Sequence, residues 1–160
     1  MVASSITEEY AVAVSADRLW KAALAGDTSA LPKACAGFID AVEVEGDGGP
    51  GSVSTLKLNP AVGVATFKTR VLVRDAAARL LRSEVLEGGK VSAQLKSQVT
   101  EVKLEPAGEG ACVARVTVDY EPLDGAAPLP PEDQAKLTQG YLGLIKRVEA
   151  YLVANRDEFA

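Results

Sequence analysis

A succession of apolar strand segments, each separated from the next by a turn, most limits what this chain can fold into. The turns N-P-A-V-G, D-A-A-A, E-G-G-K and P-A-G-E-G have the residue content typical of tight connections. Because strands joined by short turns run in opposite directions, the pattern predicts an antiparallel meander. The segments are F-I-D-A-V-E-V-E, S-V-S-T-L-K-L, T-F-K-T-R-V-L-V-R, R-L-L-R-S-E-V-L-E, V-S-A-Q-L-K-S-Q-V-T-E-V-K-L and A-C-V-A-R-V-T-V-D-Y-E.

Helical segments lie before and after these strands. A first strand over residues 6–15 leads to a helical stretch for which Ser15 is the capping residue, and a short helix is expected near residues 32–36. The longest helix begins near Pro131 and spans ~37 Å at about 25 residues. Its spacing predicts one buried stripe, formed by Leu137, Tyr141, Leu144, Ile145, Val148 and Leu152. The predicted order is β-α-α-β6-α within one domain, residues 1–160.

Composition argues against several classes of function. The chain has a net charge of −5 and no histidine, and its basic residues are not clustered. We therefore expect no nucleic-acid partner. Without histidine the commonest metal ligand and the usual general base are both missing, so we expect no metal and no cofactor.

The cysteines and the N-terminus predict a protein of the cytoplasm, with the nucleus left open as a further location. Cys35 and Cys112 have no C-x-x-C spacing, and residues 1–10 lack the features of a secretory leader. Thiols inside the cell stay reduced, so we expect both cysteines to be buried and unpaired. No apolar run approaches the ~18 residues of a membrane span, and we expect no membrane insertion.

The segment E-G-D-G-G-P-G, residues 45–51, poses the question of a phosphate-binding loop. Such a loop needs G-x-x-x-x-G-K-[ST] and a helix after it, whereas here Ser52 and a strand follow. The segment is interpreted as a glycine-rich hairpin connection. Its glycines are Gly46, Gly48, Gly49 and Gly51.

This loop, at this place in the order of elements, resembles the glycine-rich loop of the plant pathogenesis-related class 10 proteins, the major birch pollen allergen family. R-L-W-K-A, L-P-K-A, K-T-R-V, V-L-E-G-G and V-E-A-Y-L-V-A-N match that family at its spacing. The resemblance implies an α+β, START-like helix-grip fold, in which a seven-stranded curved antiparallel sheet wraps around the C-terminal helix. It also implies a large apolar cavity, used for flavonoids, cytokinins, brassinosteroids, abscisic acid and fatty acids.

Strand parity and family position together nominate the residues that line this cavity. The alternative is that the same residues fill a solid core. Polar members of the set could orient a ligand or bind ordered water. Several positions, such as Ala23 and Thr66, carry smaller residues than relatives do, which favours a larger void. The nominated residues are Leu24, Ile39, Leu56, Leu58, Val64, Leu81, Ser83, Val85, Gln98, Thr100, Val102, Ala114, Val116, Leu137, Tyr141 and Leu144.

Ribonuclease activity has been attributed to this family through the glycine-rich loop, a lysine after it, and two glutamates. Here Glu149 and Tyr151 match, but Ser54 stands in place of the lysine and Lys96 in place of the strand glutamate. With no matched acid and base, RNA cleavage is disfavoured. Glu149 and Tyr151 are interpreted instead as residues that join helix and sheet.

The norcoclaurine synthases resemble this fold and use a tyrosine, an acidic residue and a lysine for catalysis. The matching positions in this chain are Lys96, Gln98 and Arg115, so the catalytic residues of the synthases are absent. We therefore expect a monomeric, intracellular carrier of a small apolar plant metabolite or hormone, associated with defence. The alternatives are a pathway-specific isomerase or synthase that uses the same cavity, with Lys96 as its inward charge, or a weak ribonuclease.

Overall fold

A seven-stranded sheet and one long helix form the frame, in a computed structural model that describes residues 4–24, 30–59, 66–87, 95–122 and 130–157. The helices are α1 (Ala16–Leu19), which continues as a π-helical segment (Trp20–Leu24), α2 (Ala30–Ala34) and α3 (Pro131–Ala154). The strands are β1 (Ser4–Val12), β2 (Ile39–Glu45), β3 (Val53–Leu58), β4 (Thr66–Asp75), β5 (Leu80–Glu87), β6 (Leu95–Pro106) and β7 (Cys112–Pro122). The predicted order of elements is confirmed.

The sheet is an antiparallel meander, as the turns predict. Its strand order is β1-β7-β6-β5-β4-β3-β2, and each strand from β2 to β7 pairs with the next along the chain. β1 completes the sheet by pairing with β7, so that β1 and β2 form its two edges. The expected helix-grip architecture is therefore confirmed.

Two element boundaries differ from the prediction for local reasons. β1 ends at Val12 rather than near residue 15 because the Ala13 amide donates to the Glu149 carboxylate instead of to a strand. Ser15 then caps α1 by accepting a hydrogen bond from the Arg18 amide. The second short helix covers Ala30–Ala34 rather than residues 32–36.

β7 shows the cleanest alternation in the chain. All of its even-numbered residues from Cys112 to Pro122 are buried, while the odd-numbered ones are only partly buried. The buried face packs into the main apolar core together with β6, α1 and the buried stripe of α3. Strand parity was therefore sufficient to predict the inward face of this strand.

A carboxylate on α3 fixes the helix against the edge of the sheet. Glu149 accepts a hydrogen bond of 2.5 Å from the Tyr10 hydroxyl and one of 2.6 Å from the Ala13 amide. The predicted role of Glu149 in joining helix and sheet is therefore confirmed. The Arg18 guanidinium donates to the carbonyls of Leu152 and Asn155, so the C-terminal end of α3 is also held by α1.

Cys35 and Cys112 are buried and unpaired, as expected. Burial raises the pKa of each thiol to about 11, an effect that nearby Arg147 partly offsets for Cys35. Thiols with such a pKa stay protonated at neutral pH and are poor nucleophiles. Both cysteines therefore act as small apolar residues of the interior.

Replacement of Glu149 by alanine should lower the free energy of unfolding by about 2 kcal/mol or more, because two hydrogen bonds to a charged acceptor are lost. Urea denaturation of the variant and of Tyr10→Phe measures the effect. The double variant should be less destabilised than the sum of the single changes, since both remove the same bond. A change below about 0.5 kcal/mol for Glu149→Ala would contradict this account.

The same bond predicts a pH dependence. The hydrogen bond to Glu149 raises the pKa of Tyr10, with burial and the carboxylate charge acting in the same direction. The pKa of Tyr10 is therefore higher in the folded protein than in the unfolded chain, where it is about 10. The hydrogen bond stabilises the fold fully at pH values below the unfolded-state pKa, and this stabilisation is lost as the pH rises through the folded-state pKa. Ultraviolet titration should therefore show one tyrosine whose pKa falls when Glu149 is replaced.

Candidate ligand-binding site

A cavity of about 110 Å³ lies between one half of the sheet and α3. Strands β2 to β6 form its floor, and the π-helical segment, α2 and α3 close it from the other side. Its walls are mostly apolar. The lining residues are Ala23, Leu24, Leu31, Val42, Val44, Ser54, Leu56, Phe67, Thr69, Val71, Arg74, Leu81, Ser83, Thr100, Val102, Tyr141 and Leu144.

The cavity brings together half of the residues that the sequence nominated. These are Leu24, Leu56, Leu81, Ser83, Thr100, Val102, Tyr141 and Leu144. Val64 lies outside the described residues. The remaining nominated residues do not line the cavity, and they are Ile39, Leu58, Val85, Gln98, Ala114, Val116 and Leu137.

Ala114 and Val116 fail to line the cavity because the other half of the sheet is filled. β1 and β7 pack directly against α3, and both side chains are 0% exposed. Ala114 is paired with Tyr10 on one side and with Leu104 on the other, and all three residues belong to, or pack against, the main apolar core. The structure thus places both side chains in the packed part of the interior.

The other excluded residues are also covered by neighbouring groups. Ile39, Leu137 and Val85 are buried, and Leu58 packs at the margin of the apolar core. Gln98 is buried as well, and its side-chain amide donates to the Thr100 hydroxyl at 3.4 Å. Inward parity therefore places a residue inside the protein, but it does not distinguish a packed position from a cavity wall.

Several lining residues were missed by the sequence analysis. Val42 and Val44 on β2, and Phe67, Thr69 and Val71 on β4, lie at alternate positions, so strand parity could have found them. The sequence marked Ala23 only as a small residue that favours a larger void, and its place on the wall depends on the wider turn of the π-helical segment and not on a helical period. Arg74 breaks the parity of β4 and had no signal in the sequence.

Among the described polar residues that line the cavity, Tyr141 is the one whose buried side chain lacks a hydrogen bond. Its hydroxyl oxygen is buried and has no hydrogen-bond partner among the described residues. Burial raises the pKa of Tyr141 to about 12, and the nearby Thr100 hydroxyl offsets only part of that shift without meeting hydrogen-bond geometry. The Phe67 ring packs edge-on against the tyrosine ring at 6.0 Å and holds it in place.

Lys96 is not the inward charge that strand parity suggested. The register of β6 shifts between Leu95 and Ser97, so Leu95 and Gln98 are buried and Lys96 is exposed. Arg115 lies on the outer face of β7, where it pairs with Glu9. The three positions aligned with the synthase residues therefore do not converge on one site.

The glycine-rich loop, residues 45–51, forms the turn that joins the paired strands β2 and β3. The amide of Gly49 and the hydroxyl of Ser52 both donate to Asp47, which lowers the pKa of that carboxyl. A Cβ atom at Gly46 would come within 2.6 Å of the Ser52 hydroxyl, so glycine is required there. Because a carboxylate of the loop itself occupies its donors, the loop is no phosphate cradle.

Two general features of the described residues bear on function. No described helix is long and apolar enough to cross a membrane. Within the same ranges, no group of three or more histidine, cysteine or acidic residues could hold a metal ion.

Comparison with known proteins assigns the chain to a family. The family model described as "Pathogenesis-related protein Bet v 1 family" matches residues 1–155. The chain belongs to this family. It is 33% identical to pathogenesis-related protein 1 of Asparagus officinalis over 97% of both chains.

Two further relatives agree with this assignment. Ribonuclease 2 of Panax ginseng is 31% identical, over 93% of this chain and 97% of its own. Among solved structures, Ara h 8.0201 superposes with a TM-score of 0.77 at 26% identity, covering 96% of this chain and 100% of that one. The sheet and helix of this chain are thus those of the Bet v 1 family.

Matched substitutions at two alanines should separate the packed half from the cavity. Ala114→Leu should lower the free energy of unfolding by about 1–3 kcal/mol because it overpacks a filled core. Ala23→Leu projects into the cavity and should cost less than about 1 kcal/mol. Thermal and urea unfolding of the two variants provide the measurement. Equal losses at both positions would contradict this division of the interior.

Proposed function

We propose that this protein is a binding protein, or carrier, for a small and largely apolar plant metabolite or hormone. The whole chain acts as one ligand-binding domain of the Bet v 1 type. The observation that carries the proposal is an apolar cavity lined in part by Tyr141, whose buried hydroxyl has no hydrogen-bond partner among the described residues. A buried polar group of this kind favours a ligand that can accept its hydrogen bond.

The size of the cavity limits the ligand. A volume of about 110 Å³ lies below the ~300 Å³ at the lower end of ordinary ligand pockets. Because the cavity is also partly open, a compact two-ring molecule can insert part of its body between the described walls, and it fits them better than a steroid-sized one. The hydroxyls of Ser83 and Thr100 are further polar groups on the same wall, and they can orient a ligand once Tyr141 has bound it.

The chemistry of the lining supports binding over catalysis. General acid–base catalysis needs a group whose pKa lies near the working pH. No carboxylate is found among the described lining residues, and Tyr141, with a pKa of about 12, stays protonated. Arg74 stays charged because a guanidinium does not give up its proton in proteins. The described lining residues therefore offer an isomerase or synthase no proton carrier.

One relative, from ginseng, is named as a ribonuclease, but the site supports ribonuclease activity less well than ligand binding. Glu149 is occupied by the Tyr10 hydroxyl and the Ala13 amide, at bond lengths that leave it little freedom to act on a substrate. Ser54, in place of the lysine, lines the cavity, and Lys96 is exposed elsewhere.

The names of the relatives in asparagus and parsley support a role in defence, and buried thiols suit a cytoplasmic and nuclear location.

A compact, neutral dye tests the proposal. Prodan, a naphthalene with one ketone, should bind the folded protein at micromolar affinity or better, with its emission shifted to the blue. Tyr141→Phe should weaken binding about two- to tenfold through the lost hydrogen bond, and it should leave stability unchanged or raised. A flavonoid or cytokinin should displace the dye. Binding seen only after acid unfolding would overturn the proposal.

A further inference from the structure

Arg74 lies on the cavity wall because of an irregularity in β4. Phe67, Thr69 and Val71 alternate onto the cavity face, and continued alternation would put Val73 there next. Instead the register with β5 shifts between Val71 and Val73. Leu72 and Val73 are consequently exposed at 37% and 41%, and Arg74 turns inward. A β-bulge of this kind re-aims a side chain at the place where it occurs.

The guanidinium of Arg74 has backbone partners but no acidic one. Its Nε donates to the Leu24 carbonyl at 3.0 Å, and its Nη1 donates to the Gly48 carbonyl. No carboxylate of the described residues lies within ion-pair distance of it. A guanidinium has five donor hydrogens, so most remain for another acceptor.

The surroundings of this charge are largely apolar. Burial lowers the pKa of Arg74, which indicates that the guanidinium has lost hydration. No acidic side chain of the described residues compensates for that loss. Tyr141 is the other ionisable side chain among the described lining residues, and it is neutral at physiological pH. A half-buried cation beside an apolar cavity is stabilised when an anion binds it.

We propose that Arg74 forms an anion subsite, and that the ligand of this cavity is a compact apolar molecule bearing a carboxylate. This inference rests on the proposed function. The planar fork of a guanidinium matches a carboxylate in geometry, and such charge-assisted bonds are stronger than neutral ones. The apolar body of the ligand then fills the space between β3, β5 and α3, within reach of Leu56, Leu81 and Leu144.

The contrasting interpretation is that Arg74 only clamps the glycine-rich loop to the π-helical segment through Gly48 and Leu24. A clamp affects all ligands alike, since it would act through the shape of the cavity. An anion subsite discriminates between an acid and its neutral ester. The net charge of −5 repels anions in general, so a preference for the acid requires a local cation.

The test uses 1-naphthaleneacetic acid and its methyl ester as competitors that displace Prodan at neutral pH. The wild-type protein should bind the acid roughly tenfold or more tightly than the ester, the ratio expected of a charge-assisted hydrogen bond. Arg74→Gln should bring this ratio to about one or below, because an unpaired carboxylate is disfavoured in an apolar cavity, while the affinity for the ester changes less than about threefold. Arg74→Lys should retain part of the preference.

Arg70→Gln is the matched control, because Arg70 lies on the same strand but is exposed and pairs with Glu84. It removes the same charge and should leave the ratio unchanged. The wild-type ratio depends on no variant, so a value near one would overturn the Arg74 proposal even if Arg74→Gln failed to fold. An unchanged ratio in a folded Arg74→Gln variant would do the same. Failure of Prodan itself to bind would instead overturn the proposed function.

Discussion

The contact between Glu149 and the end of β1 determines how α3 lies on the sheet. Its carboxylate holds the Tyr10 hydroxyl and the Ala13 amide, and the neighbouring Val148 and Leu152 are fully buried. The C-terminal half of α3 is therefore fixed against β1 and β7. The opposite half of the curved sheet, from β2 to β6, is left with an apolar face that α3 covers only in part.

Because α3 packs unequally on the sheet, the interior has one filled region and one region that contains the cavity. Around Ala114 and Val116 the sheet and helix are in contact, and both side chains are fully buried in the main apolar core. Towards Leu56 and Leu81 the elements diverge, and an unfilled space of about 110 Å³ remains. Such a space costs dispersion contacts in the empty protein, and a ligand of matching shape restores them.

The sequence could predict the fold because each level of the pattern agreed with the others. Turns separated the strands, the α3 stripe had helical spacing, and β7 alternated along its whole length because its ladder with β1 continues without a shift. The site was predictable only in part. Register shifts near Lys96 and beyond Val71 reverse the parity, so Lys96 is exposed and Arg74 faces inward. A bulge depends on the pairing of two strands and leaves no mark in the spacing of one.

Parity also cannot separate a packed core from a cavity, because both have inward apolar side chains. Ala114 and Leu81 both lie on inward faces, yet only Leu81 lines the cavity. The difference depends on where α3 lies, and that position is fixed by contacts such as the one between Glu149 and Tyr10. The location of the empty volume is therefore a property of the tertiary structure, which no single segment encodes.

A ligand should enter the space under β2–β6 and not the packed half of the protein. The most direct measurement is the methyl NMR spectrum of the protein titrated with Prodan. We expect shifts, and contacts to the dye, at Val42, Leu56 and Leu144, with little change at Val116, Val118 and Leu152. Changes confined to the exposed residues Leu72 and Val73, or spread through the packed half, would contradict the account.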